Sequence, residues 1–108
     1  MSFFEEEITI ALKNLRNKLV EDKNEWSKRL GYETRYDESE YSILAGIKYT
    51  KVVARQGGVW GFIMNADDNK FKKGDILKAK SWESPARNFA RGNIFNIEQL
   101  PRNIWVGA

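Results

Sequence analysis

Ile8, Ala11, Leu12, Leu15 and Leu19 recur at intervals of three and four, with charged and amide residues filling the positions between them. That spacing predicts an amphipathic helix whose apolar stripe packs on the rest of the protein. Trp26 and Leu30 extend the stripe and Gly31 is a natural terminator, whereas Asp22 to Asn24 interrupt it. Residues 3–30 therefore form one long helix or two shorter ones. Ser2 followed by Glu5 fits a capping box, and three glutamates in the first turn suit the helix dipole. Core packing is the ordinary role for such a stripe, and a partner or dimer helix is the alternative.

The pattern changes after Gly31. Residues 32–41 are polar, carry Tyr32, Tyr36 and Tyr41, and have no periodicity, which reads as a connecting loop. From Ile43 onward β-branched and aromatic residues dominate. Ile47–Arg55 and Val59–Met64 flank Gln56-Gly57-Gly58 and predict a hairpin, because glycine supplies the positive φ a tight connection requires. Asn65 to Asn69 and Lys73-Gly74-Asp75 read as turns, and Ile76–Trp82 as a third strand. Residues 93–98 and 103–106, on either side of Leu100-Pro101, have the composition of short strands. The expected fold is α+β: an amino-terminal helical segment, residues 1–31, packed on a β-rich segment, residues 43–108, as a strongly bent antiparallel sheet or an SH3-like barrel. The 108 residues make a single domain with one modest core.

Composition narrows the chemistry. The chain has neither cysteine nor histidine, which removes disulfides, thiolate and imidazole nucleophile systems and the commonest zinc ligand sets. Asp67, Asp68, Asn69 and Asp75 could offer oxygen ligands to a hard cation, yet their spacing departs from a calcium loop and suits a solvated turn. Gly57-Gly58-Val-Trp-Gly61 leads into a strand rather than a helix, so it reads as a hairpin connection and not a phosphate loop. No acid/base pair or nucleophile stands out, and the expectation is a protein that is not an enzyme and has no cofactor or metal. The amino terminus lacks a basic, cleavable leader pattern and no apolar run approaches a spanning length, which points to a cytoplasmic protein without a membrane partner.

Charge is distributed unevenly. The balance is −3 over residues 1–45 (7 Lys/Arg against 10 Asp/Glu) and +6 over residues 46–108 (11 against 5). Within the basic half, residues 78–93 combine Lys78, Lys80, Arg87 and Arg91 with Trp82 and Phe89. Ser84-Pro85 and Gly92 punctuate a short helix, on which Arg87 and Arg91 fall at i and i+4 and project together. Lys78, Lys80, Trp82, Arg87 and Arg91 are accordingly the candidate site for nucleic acid or another phosphate-bearing ligand. The competing reading pairs the arginines internally with Glu83, Glu98 or an amino-terminal glutamate, and plugs the core with Phe89. A second functional reading is a protein-binding inhibitor. It would dock through the acidic helix or the Tyr32, Tyr36 and Tyr41 segment, as a homodimer in one form.

Gly58-Val-Trp-Gly-Phe-Ile63, Phe71-Lys-Lys-Gly-Asp-Ile-Leu-Lys-Ala-Lys-Ser-Trp82, Pro85-Ala-Arg, Ala90-Arg-Gly-Asn-Ile-Phe95 and Trp105-Val-Gly resemble small accessory proteins of tailed bacteriophages. The likeness spans residues 58–107, excludes the helix and carries no active site. It implies a small protein made in a bacterial cytoplasm that binds a host factor or counters a defence.

Overall fold

A computed structural model describes residues 3–108. Phe3–Arg29 is one continuous helix, α1. Asp22 and Asn24 do not break it, because each has a side-chain partner: Asp22 accepts from Lys18 one turn earlier at 2.7 Å, and the Asn24 amide bonds both backbone groups of Tyr36, at 2.6 and 2.9 Å. The helix stops in a Schellman arrangement. Gly31 takes φ +82, its N–H donates to the Lys28 carbonyl, and that of Tyr32 donates to the Ser27 carbonyl. The Ser2/Glu5 capping box falls outside the described residues.

Five antiparallel strands follow in simple sequential order: β1 Tyr41–Ala45, β2 Tyr49–Ala54, β3 Gly58–Met64, β4 Asp75–Leu77 and β5 Gly92–Asn93. The α+β architecture is the one expected. The sheet remains open with β1 and β5 at its edges, so the barrel alternative does not form. Residues 32–40 do form a connection, closed by a 3-10 turn at Glu38–Glu40, but a separate strand starts at Tyr41 where a loop was expected. The third expected strand is much shorter than Ile76–Trp82. Of the expected strands at 93–98 and 103–106 only Asn93 is in a strand, at the end of β5, and the rest of both folds mainly as 3-10 helices at Ile94–Gln99 and Ile104–Val106. Asn93 causes the first of these changes, since its side-chain oxygen accepts from the Phe95 N–H at 2.8 Å and turns the chain out of β5.

The sheet has a core on each face. On one face α1 inserts Leu12, Leu15 and Leu19 against Val52, Ile63 and Ile76, and the carboxyl-terminal segment adds Ile94, Leu100 and Ile104. Fully burying Leu19 alone contributes about 2 kcal/mol. On the opposite face Phe62, Met64, Phe71 and Leu77 form a second cluster under the loops of residues 65–73 and 78–91. A bulge reconciles the two. Val52 pairs with Gly61 and Val53 with Val59, so Trp60 is an extra residue that resets the alternation and lets Trp60 and Ile63, three apart, face the same core. Trp60 then donates its indole N–H to the Ile104 carbonyl at 2.8 Å, anchoring the carboxyl-terminal segment. Gly61 lies in close quarters: a Cβ there would stand 3.1 Å from the Leu77 carbonyl and from Ala108.

Candidate functional site

The segment between β4 and β5 is a loop, not the short helix its punctuation suggested. Pro85 is buried and its backbone bridges Ala79 in antiparallel fashion, so the chain doubles back on itself. Ser84 serves that reversal through its carbonyl, which accepts from Lys80 and Ser81 N–H groups at 2.9 and 3.0 Å, and the Ala86 N–H donates to the Lys78 carbonyl at 2.7 Å. These extended pairings occupy the groups that a helical turn would need.

Without the helix, Arg87 and Arg91 do not project together. Arg87 reaches across the second core to Asp68 at 2.6 Å and to the Tyr49 hydroxyl at 2.7 Å, while its guanidinium covers the Phe71 ring at 4.8 Å. The internal pairing weighed from the sequence is therefore real for Arg87, with Asp68 as partner in place of the expected glutamates. Asp68 is the hub of this corner. It accepts from the Phe71 and Lys70 N–H groups at 2.7 and 2.8 Å, and those bonds, followed by the one from Arg87, hold its carboxyl well below the usual carboxylate range. The same carboxylate in turn holds Arg87 further toward its charged form.

Arg91 goes elsewhere. Its N–H donates to the Ile76 carbonyl, and its guanidinium stacks 4.0 Å over Phe89. The Arg91 Nε is shielded from solvent and has no partner. Phe89 does not plug the core, being half exposed at 52%.

Trp82 is also half exposed, at 52%, and its ring lies 4.5 Å from the ammonium of Lys51. Lys51 was missed from sequence because it sits inside a strand run. Its register is the signal that finds it: Lys51 pairs with Phe62, and Phe62 with Leu77, placing the lysine on the loop-covered face. Lys78 and Lys80 are exposed and form no ion pair among the described residues. Leu77 and Ala79 on either side of Lys78 turn toward the second core. The structure thus joins Trp82 to Lys51, leaves Lys78 and Lys80 open to solvent, and separates Arg87 and Arg91 from each other.

The remaining candidates have structural work. Asp67 accepts from the Lys73 N–H, Asp75 from the Lys72 N–H and from Asn93, so these turn carboxylates order their own backbone. Among the described residues no group of three His, Cys, Asp or Glu side chains is placed to hold a metal ion. Gly57 and Gly58 form the β2–β3 connection, with Gly58 at φ +76. In the tyrosine segment, Tyr41 is buried with its hydroxyl donating to the Trp105 carbonyl at 3.1 Å, and Tyr36 lies 4.1 Å beneath the Lys23 ammonium. Only Tyr32 of the three is largely exposed, so these rings do not present a shared docking surface. No helix among the described residues is long and apolar enough to cross a membrane.

Fold and surface together define an α+β domain with one helix-covered sheet face and one face roofed by cation-bearing, aromatic loops. The chain belongs to a family of unknown function, DUF7717, whose model matches residues 3–104. No curated protein and no solved structure matches it.

Proposed function

We propose that the protein is a non-catalytic module that binds single-stranded nucleic acid along the loop-covered face of the sheet. The observation that carries this reading is the half-exposed Trp82 ring with the Lys51 ammonium 4.5 Å away. An aromatic face beside a cation is what a stacked base and its phosphate require. Phe89 beneath Arg91 repeats the pairing in the same loop. Lys78 and Lys80 add unneutralised charge, because Asp67, Asp68 and Asp75 are engaged by their own turns. The bacteriophage setting and cytoplasmic location implied by the sequence resemblance remain part of this proposal.

Fluorescence anisotropy of a labelled oligo-dT against a salt series tests it. Binding should weaken steeply as salt rises, with each lost phosphate contact lowering the logarithmic slope by about 0.7. Lys78→Ala with Lys80→Ala should reduce that slope while leaving the fold intact, since both side chains are exposed. Absence of binding by the folded protein at low salt overturns the proposal and favours the alternative of a protein partner.

A further inference from the structure

We infer that the cleft between α1 and the β1–β2 turn is a binding site for a small apolar carboxylate, separate from the cation-bearing loop on the other face of the sheet. The cleft encloses about 580 Å³, within the range of ordinary small-molecule sites. Its walls are Ile8 and Leu12 from the helix, Ile43 from β1 and Ile47 from the β1–β2 turn. Ile47 is fully exposed at the mouth, where the apolar body of a ligand would cover it.

The polar groups around this apolar space have one sign. Lys13 and Arg16, one turn apart on α1, both line the cleft, and no carboxylate does so among the described residues. Arg16 is lightly engaged: among the described residues its one carboxylate contact is a 3.5 Å approach to the exposed Glu38. A single long contact leaves guanidinium N–H groups of Arg16 for a bidentate, charge-assisted bond to a ligand carboxylate in the cleft. Two cations above isoleucine and leucine walls thus match a ligand with one anionic end and an apolar body.

The mouth is already shaped. The Asn65 amide donates to the Gly46 and Ile47 carbonyls at 2.8 and 3.1 Å, and its oxygen accepts from the Thr50 hydroxyl at 2.7 Å. These bonds hold the β1–β2 turn in place from β3's end, so binding need not order it. A Cβ at Gly46 would lie 2.6 Å from the Tyr49 carbonyl, which keeps the turn's path free of a side chain.

The full chain, isotopically labelled, can be titrated by two-dimensional NMR with octanoate, with octanol at the same concentrations, and with a tripeptide ending in leucine as its free acid or its amide. Octanoate should shift the methyl signals of Ile8, Leu12, Ile43 and Ile47 and bind at least tenfold more tightly than octanol. Arg16→Gln should remove about tenfold or more of the octanoate affinity, as expected for a charge-assisted hydrogen bond. Ile47→Ser should weaken octanoate and octanol alike, and being fully exposed it cannot act through unfolding. Binding of octanoate alone assigns a free acid, and binding of the peptide acid but not its amide assigns a chain terminus; both support the carboxylate site. Equal affinity for octanoate and octanol, unchanged affinity in folded Arg16→Gln, or no methyl shifts overturns it.

Discussion

Arg87 donates to Asp68, 19 positions earlier in the chain, at 2.6 Å, clamping the loop after β4 onto the turn after β3. The Asp68 carboxyl is held below its ordinary range by the Phe71 and Lys70 N–H groups and then by Arg87, so its charged form is favoured in the folded state. An unfolded aspartate titrates near pH 3.9, about. Stability from this group is therefore full above that pH and is lost as pH falls toward the lower folded-state value. Asp68→Asn should be less stable than the parent at pH 7 in urea denaturation. The difference should shrink on acidification from pH 4 to pH 2.5, because the variant has no such proton to take up. A difference that stays constant with pH would contradict the assigned role.

Gly74 and Gly31 provide a matched pair for separating backbone strain from crowding. Both have positive φ, +87 and +82, and alanine at either carries the left-handed penalty of about 1–2 kcal/mol. At Gly31 a Cβ meets nothing within 4 Å, whereas at Gly74 it would lie 2.7 Å from the Phe95 ring and 2.9 Å from the Asn93 side chain. Gly31→Ala should cost about 1 kcal/mol. Gly74→Ala should cost clearly more, about 2–4 kcal/mol, since it also disturbs the Asn93 cap. Equilibrium unfolding of the two variants checks the order.

These comparisons show which parts of the fold local sequence could reveal. The apolar stripe of α1 and the Gly57-Gly58 hairpin were legible because period and turn chemistry are properties of adjacent residues. Ser84-Pro85 through Gly92 was not, because the same punctuation serves a helix or a doubled-back loop. The choice rests on non-local contacts: the Ala79 bridge to Pro85 and the Arg87 bond to Asp68. Asn93 and the bulge at Trp60 had similar effects, each redirecting a β-like run by one side-chain or register event. Of the candidate site, the basic and aromatic content of residues 78–93 was legible, but the pairing was not. Trp82 meets Lys51 through strand register, and no spacing in the chain announces that.

Tyr41 offers an alkaline counterpart to Asp68. Burial pushes its phenol well above the ordinary range, with the neighbouring Glu40 adding to the effect, and the hydroxyl donates to the Trp105 carbonyl. A raised folded-state value means that its stabilising contribution is complete below the unfolded tyrosine value of about pH 10 and is lost as pH rises beyond it. Tyr41→Phe should cost about 1 kcal/mol at pH 7 through the lost hydrogen bond. Above pH 10 the gap between parent and variant should narrow, since phenylalanine has no proton to lose in the unfolded chain. Parallel stability curves from pH 8 to pH 11 would refute this assignment.

The Lys51 and Trp82 pair separates a binding role from a structural one. Both side chains lie at the surface of the second core, and the cation–ring contact itself contributes only about 0.5–1 kcal/mol to the fold. Trp82→Ala should cost that contact together with the burial of the covered half of the indole, about 2–3 kcal/mol in all. If a base stacks on that ring, the same substitution should weaken oligo-dT binding by about 1–3 kcal/mol, or roughly 5- to 150-fold, at fixed salt. Lys51→Ala should lower the salt slope by about 0.7 and Trp82→Ala should leave the slope unchanged, because only the lysine exchanges counterions for a phosphate. Loss of stability without loss of affinity in Trp82→Ala would return this aromatic to the ordinary inventory of the loop.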